Sequence, residues 1–259
     1  MKRIIPVLFI KNGLIVRSQN FSRHQVIGNV INQAKRLNDW LADELICIDI
    51  SDEKFYDSGR DDHQVKSIDN IIEIIKEMSK VVFMPFSFGG GIRNIDDAKI
   101  RIRSGADKII INTLIFESKN TVEQIIKILG SQAVVASLDY RIENGVAQVY
   151  SHSGKQSVKM NLYEAVDYCE ALGVGEIFIQ NINLDGSSSG YDLKIIEKLV
   201  ENCNLPVVCC SGAGIDLHFA EAAKIKEISG IAAGNIFNFS ERSYPRVKSY
   251  LKDLGIDVR

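Results

Sequence analysis

Two kinds of residue in this chain have the type and placement for chemistry: carboxylates delivered by apolar runs, and glycine-rich segments that follow such runs. Asp139 ends the run Val134-Val135-Ala136-Ser137-Leu138, and Asp49 ends Leu45-Ile46-Cys47-Ile48. Asp185 heads a small-residue segment, Gly186-Ser187-Ser188-Ser189-Gly190, suited to wrapping a phosphate or closing over a substrate. A carboxyl group so placed can work as a general acid or base, yet it can equally be a helix N-cap or a loop tie. For Asp49 and Asp185 both roles stay open, and Asp139 is read as functional. Gly89-Gly90-Gly91 and Gly212-Ala213-Gly214 each follow an apolar run and precede a helix-period segment. Glycines bring backbone N–H groups close to a ligand and a helix start adds partial positive charge, so phosphate is the natural guest, with a plain tight turn as the alternative.

Other chemistries find little footing. His24, His63, His152 and His218 are scattered without metal-ligand spacing, and no nucleophile motif accompanies them. No metal or cofactor is expected. Cys47, Cys169, Cys203, Cys209 and Cys210 are odd in number and lack paired CxxC spacing, which points to a reducing, cytoplasmic setting rather than a disulfide framework. A formal net charge of -2 and a pI near 6.1 offer no footprint for nucleic acid or an anionic membrane. Any phosphate recognised should therefore belong to a small molecule. The basic start and short apolar run Met1 to Ile10 read as a buried strand, and no stretch is long enough for a membrane span.

The elements that would position these residues alternate along the chain. Strand candidates are Arg3 to Ile10, Glu44 to Ile50, Val82 to Phe88, Lys108 to Asn112, Ala133 to Tyr140, Glu176 to Asn181, Pro206 to Ser211 and Gly230 to Ala233. They are short and continuously apolar, as strands buried on both faces should be. Amphipathic segments lie between them, the first at Val30 to Leu41 and the last near Tyr244 to Leu254. The pattern predicts an α/β fold, a (β/α)8 TIM barrel occupying 1–259 as one domain. An open doubly wound sheet or two domains are the alternatives, but no linker or composition break marks a boundary. An internal repeat sharpens the choice: Leu8-Phe9-Ile10-Lys11-Asn12-Gly13 resembles Leu138 to Arg141 with Asn144-Gly145, and Ser104-Gly105 with Asn112-Thr113 matches Ser229-Gly230 with Gly234-Asn235. A two-fold half-barrel repeat of this kind implies two opposed anion sites at the mouth.

At these residues the chain resembles the HisF family, the cyclase subunits of imidazole glycerol phosphate synthase. The resemblance runs from Arg3-Ile4-Ile5-Pro6 through Gly89-Gly90-Gly91-Ile92-Arg93, Gly105-Ala106-Asp107-Lys108, Ile111-Asn112-Thr113, Asp185-Gly186 and Gly190-Tyr191-Asp192 to Gly212-Ala213-Gly214. It implies a barrel that takes ammonia from a HisH-like glutaminase and combines it with a bisphosphorylated ribulosyl nucleotide. By the same resemblance one phosphate would rest on Gly91, Asn112 and Thr113, and the other on Gly186, Gly212, Gly234 and Asn235. Arg3, Glu44, Lys108 and Glu176 would form a charged gate for ammonia at the opposite face, and Asp107 and Gln132 would lie at the glutaminase interface. Phe9, Lys11, Arg17, Asp49, Asp185 and Cys210 would complete the mouth around a catalytic Asp139.

The departures from the family pattern carry as much weight. Where the histidine-pathway enzyme ends its first strand in Cys-Leu-Asp-Val, with the aspartate one of two acid/base groups, this chain has Val7-Leu8-Phe9-Ile10. Arg17 stands for the family lysine and Cys210 for its serine, and the segment Ser51 to Val65 is longer and more charged. The combination resembles a side branch of HisF-like proteins in surface-polysaccharide biosynthesis. These pair with a HisH-like glutaminase to supply ammonia for acetamidino groups on sugars, with an ATP-dependent amidotransferase as consumer. A histidine-pathway cyclase and a non-catalytic glutaminase-binding scaffold are the other readings.

Overall fold

The computed structural model describes residues 1–51, 68, 70–239 and 241–259. Eight strands form the barrel wall: β1 Arg3–Lys11, β2 Leu45–Asp49, β3 Phe86–Gly89, β4 Lys108–Ile111, β5 Val134–Glu143, β6 Glu176–Asn181, β7 Val207–Cys210 and β8 Gly230–Ala233. Each is parallel to its neighbours, β1 pairs with both β2 and β8, and β5 pairs with β6, so the ring is closed. This is the predicted (β/α)8 barrel. The enclosing helices are α1 Val30–Asp39, α2 Ile71–Ser79, α3 Ile95–Arg103, α4 Lys119–Leu129, α5 Leu162–Leu172, α6 Leu193–Val200, α7 Asp216–Ala223 and α8 Ser243–Asp253. No helix among the described residues is long and apolar enough to cross a membrane.

The strands are apolar throughout because they are buried on both faces. Along β1, Ile4, Leu8 and Ile10 join the core between strands and helices, whereas Ile5, Val7 and Phe9 join a second cluster in the lumen with Ile46, Ile110, Val135, Phe178, Val208 and Ala232. The period of two is there, but both sets are hydrophobic. Helix starts are set by short polar side chains. Asn29, Asn70 and Asn94 each accept from a backbone N–H of the first turn, and Asn161 forms a reciprocal capping box with Glu164.

Two features differ from the sequence expectation. β3 begins at Phe86 rather than Val82, because the N–H groups of Val81 and Val82 still bond Met78 O at the end of α2, and Phe83 is 85% exposed. The second difference is two β-hairpin extensions. Leu14–Gln19 pairs antiparallel with β1 and with Arg23–Asn29, and Val146–Ser151 pairs with β5 and with Gln156–Asn161. Each opens on an Asn-Gly turn at positive φ, 49° and 76° at Asn12-Gly13 and 51° and 80° at Asn144-Gly145. Such a pair twists the way a hairpin needs. The two hairpins follow β1 and β5, so the half-barrel repeat extends to its decorations.

Candidate functional site at the barrel mouth

Asp139 comes off the lumen face of β5 and is 5% exposed. Its Oδ1 accepts from Gln180 Nε2 at 3.0 Å and Ser137 Oγ at 3.3 Å, and its Oδ2 accepts from Asn112 Nδ2 at 3.3 Å. Burial pushes the carboxyl up to about 7 against the opposing pull of the Gln180 and Ser137 hydrogen bonds, and the nearby charge of Asp185 adds to the rise. A group so poised exchanges a proton close to neutral pH.

The residues expected to hold the second phosphate gather in one place. Gly186, Gly212, Gly234 and Asn235 line a shallow hollow together with Phe9, Asp185 and Cys210. Phe9 is 7% exposed, its ring tilted against Phe21 at 6.5 Å between centroids. A Cβ on Gly234 would lie 3.5 Å from that ring. The residues expected at the first phosphate stand at the ends of the adjacent strands β3 and β4. Gly91 has φ +63°, and below it the buried Arg101 of α3 donates from Nη2 to Gly90 O at 2.7 Å. Thr113 opens a short helix, Thr113–Glu117, and its Oγ1 accepts from His152 N at 3.1 Å. The Asn112 side chain turns toward Asp139 and the Ser137 carbonyl.

Both glycine loops owe their glycines to close approach. A Cβ on Gly90 would fall 2.0 Å from Asp49 O, and one on Gly212 would fall 2.0 Å from Gly190 O; both residues sit near φ +98°. No L side chain fits there. Each loop is thus laid against the loop of the preceding strand.

Asp49 and Asp185 have structural work. Asp49 Oδ1 accepts from Ser51 N at 3.0 Å and Ser51 Oγ at 2.6 Å, fixing the turn that leaves β2. Asp185 Oδ2 accepts from Ser18 Oγ at 2.6 Å and Phe21 N at 3.1 Å, which draws the first hairpin across the mouth. Asn235 Nδ2 fastens the same hairpin by donating to Ser18 O at 3.1 Å. Arg17 lies over the Phe239 ring at 5.6 Å, and Lys11 stands half-buried at the hairpin base. Cys210 is buried at the rim, its thiol pushed up by burial. The long segment after β2 lies, from residue 52 to 67, outside the described residues.

At the other end of the lumen four charges close a ring. Arg3 Nη1 meets Glu44 Oε2 at 2.6 Å and its Nη2 meets Glu176, while Lys108 Nζ meets Glu44 Oε1 at 3.0 Å and Glu176 Oε2 at 2.8 Å. Burial opposes ionisation of Glu44, but Lys108 and Arg3 outweigh it and hold the carboxyl below its ordinary range. Burial likewise opposes the Lys108 ammonium, and Glu44 and Glu176 outweigh it, raising that group. Asp107 and Gln132 lie exposed on the same face, and Asp107 Oδ2 accepts from Phe86 N at the start of β3.

Sequence reasoning missed three contributors: Gln180 beside Asp139, Arg101 beneath Gly90, and the hairpins. For the hairpins a signal existed, the two Asn-Gly pairs. Arg101 carried none, since a charged helix residue usually faces solvent.

A closed barrel with a buried carboxyl and paired glycine loops at one end and a charged ring at the other belongs to the (β/α)8 class, in which active sites lie at the C-terminal mouth. Residues 3–243 match the family model described as histidine biosynthesis protein. The chain is 34% identical to imidazole glycerol phosphate synthase subunit HisF of Exiguobacterium sibiricum, covering 100% of this chain and 99% of that one. It is 33% identical to the subunit of that name from Hydrogenobaculum and 34% to that from Saccharolobus solfataricus, covering 100% of this chain and 98% of each. The chain belongs to the HisF family.

Proposed function

We propose that this chain is the synthase subunit of a glutamine amidotransferase complex. A HisH-like glutaminase docks on the face that carries Asp107 and Gln132, and ammonia enters through the ring of Arg3, Glu44, Lys108 and Glu176. Beyond that ring the lumen is lined by Ile5, Val7, Ile46, Val135 and Phe178, among others. Such a lining suits uncharged ammonia and disfavours ammonium, whose charge is costly to desolvate. At the mouth, a phosphorylated small molecule spans the loops of Gly91, Asn112 and Thr113 on one side and Gly186, Gly212, Gly234 and Asn235 on the other. Asp139 is the acid/base group.

The finer reading is that the ammonia goes to an acetamidino group on a nucleotide-linked sugar in surface-polysaccharide biosynthesis, with an ATP-dependent amidotransferase as consumer. The observation that carries it is Phe9, a buried apolar ring at the mouth, at the position where the family resemblance implies a second carboxylate in the histidine-pathway enzymes. A phenyl ring moves no proton, and losing one acid/base group commonly costs a factor of about 10² to 10⁴. The histidine-pathway cyclase is the second reading, favoured by the names of the relatives and by the near-neutral Asp139.

Supplying the bisphosphorylated ribulosyl nucleotide and ammonium to this subunit separates the two. The side-branch reading expects no imidazole glycerol phosphate from the wild type. Turnover at a rate comparable to a histidine-pathway subunit would overturn it in favour of the cyclase.

A further inference from the structure

Gln180 belongs to no set of residues assigned above, yet it stands where the lumen meets the mouth. It follows Phe178 on the lumen face of β6, pairs in register with Asp139 on one side and Cys210 on the other, and is 3% exposed. Its Nε2 donates to Asp139 Oδ1 at 3.0 Å, while its Oε1 is buried and finds no hydrogen-bond partner among the described residues. Turning the amide over would exchange which end is left, not the fact that one is left. A buried amide with one end idle destabilises a fold. The bond to Asp139 accounts for the donor end of Gln180 and leaves its acceptor end without a role.

We infer that Gln180 and Asp139 together form a docking site for ammonia at the mouth end of the lumen, with the idle Gln180 Oε1 accepting an ammonia N–H beside the Asp139 carboxyl group. This rests on the reading that ammonia travels the lumen. Ammonia offers three N–H donors and one lone pair, so it fits an acceptor next to a carboxyl group that either accepts as carboxylate or donates as acid. The site gives an uncharged, weakly held molecule a defined stop in an otherwise apolar passage, within reach of the mouth.

Isotope-labelled protein titrated with ammonium chloride at pH 8.5 tests this, with potassium chloride at equal ionic strength as control. The Gln180 side-chain amide and the Asp139 carboxyl carbon are followed by NMR. The expected result is a saturable shift of both signals with ammonium and none with potassium. Gln180→Met should then weaken the Asp139 response about tenfold, the worth of one good hydrogen bond. An absent response, or one shared with potassium, would overturn the docking site using the wild type alone, so a poorly folding variant does not protect it. An unchanged Asp139 midpoint in Gln180→Met would overturn it too. Activation of a HisH-type glutaminase by the wild type is measured alongside. Activation without the ammonium response sinks the docking site and leaves the parent reading intact, whereas no activation sinks the parent reading.

Discussion

Asp139 combines a site's usefulness with a cost to the fold. Its carboxyl is raised from 3.8 to about 7, chiefly by burial. Below about pH 4 both folded and unfolded chains hold this proton, so the group contributes no pH dependence. Between about 4 and 7 the unfolded chain has released it and the folded chain has not, so stability falls as pH rises. Above 7 the penalty levels off at roughly 4 kcal/mol, from about three pKa units at ~1.4 kcal/mol each. Asp139→Asn keeps an acceptor for Gln180 and Ser137 and removes the titration. Urea unfolding across pH 4 to 8 should therefore show the wild type losing stability and the variant following a flatter line. Equal slopes would show that Asp139 ionises as freely folded as unfolded. The position of Asp139 was legible in the sequence, because an apolar run in a parallel barrel must end at the mouth. Its environment was not, since Gln180 and Asn112 approach from the two neighbouring strands and only register brings them to Asp139.

Strands and helices were legible to within a few residues because period and apolarity follow from burial on two faces. The hairpins were legible only in their Asn-Gly turns, because their strands are half-polar and hang outside the ring. Their tethers explain their place. Asp185 holds the first hairpin through Ser18 and through Phe21, whose φ of 54° is unfavourable for a large side chain. Asp185→Ala should release the tip and cost about 1–3 kcal/mol locally. Limited proteolysis should then cut within Leu14–Asn29 faster than in the wild type, while the far-ultraviolet circular dichroism of the barrel persists. Unchanged cleavage would mean that the backbone bond from Asn20 N to Asp185 O and the Asn235 contact suffice. The ring at the other face invites a second test. Glu44 and Glu176 are 4% and 7% exposed, and removing a partner from buried ions commonly costs about 3–5 kcal/mol. Arg3→Met should lower the urea midpoint accordingly with an unchanged slope. A shift under 1 kcal/mol would mean that the ring is hydrated enough to tolerate the loss.

Across the whole molecule, two ends of one lumen are specialised in opposite ways. The N-terminal face closes on alternating charge, the wall is hydrocarbon, and the mouth holds the buried Asp139 carboxyl and a hollow lined by Gly186, Gly212 and Gly234. Relatives at 33–34% identity align over the entire chain, and on the proposed function Phe9 is the departure that bears on the reaction. On the proposed function a glutaminase docks beneath the ring and feeds it. The most direct test is glutamine hydrolysis by a HisH-type glutaminase, alone and with one equivalent of this chain, with and without a bisphosphorylated ribulosyl nucleotide. Hydrolysis should rise when the chain is added, and the rise should be lost when Asp107 and Gln132 are both replaced by Lys. Hydrolysis that is the same with and without the chain, under every ligand condition, would contradict it.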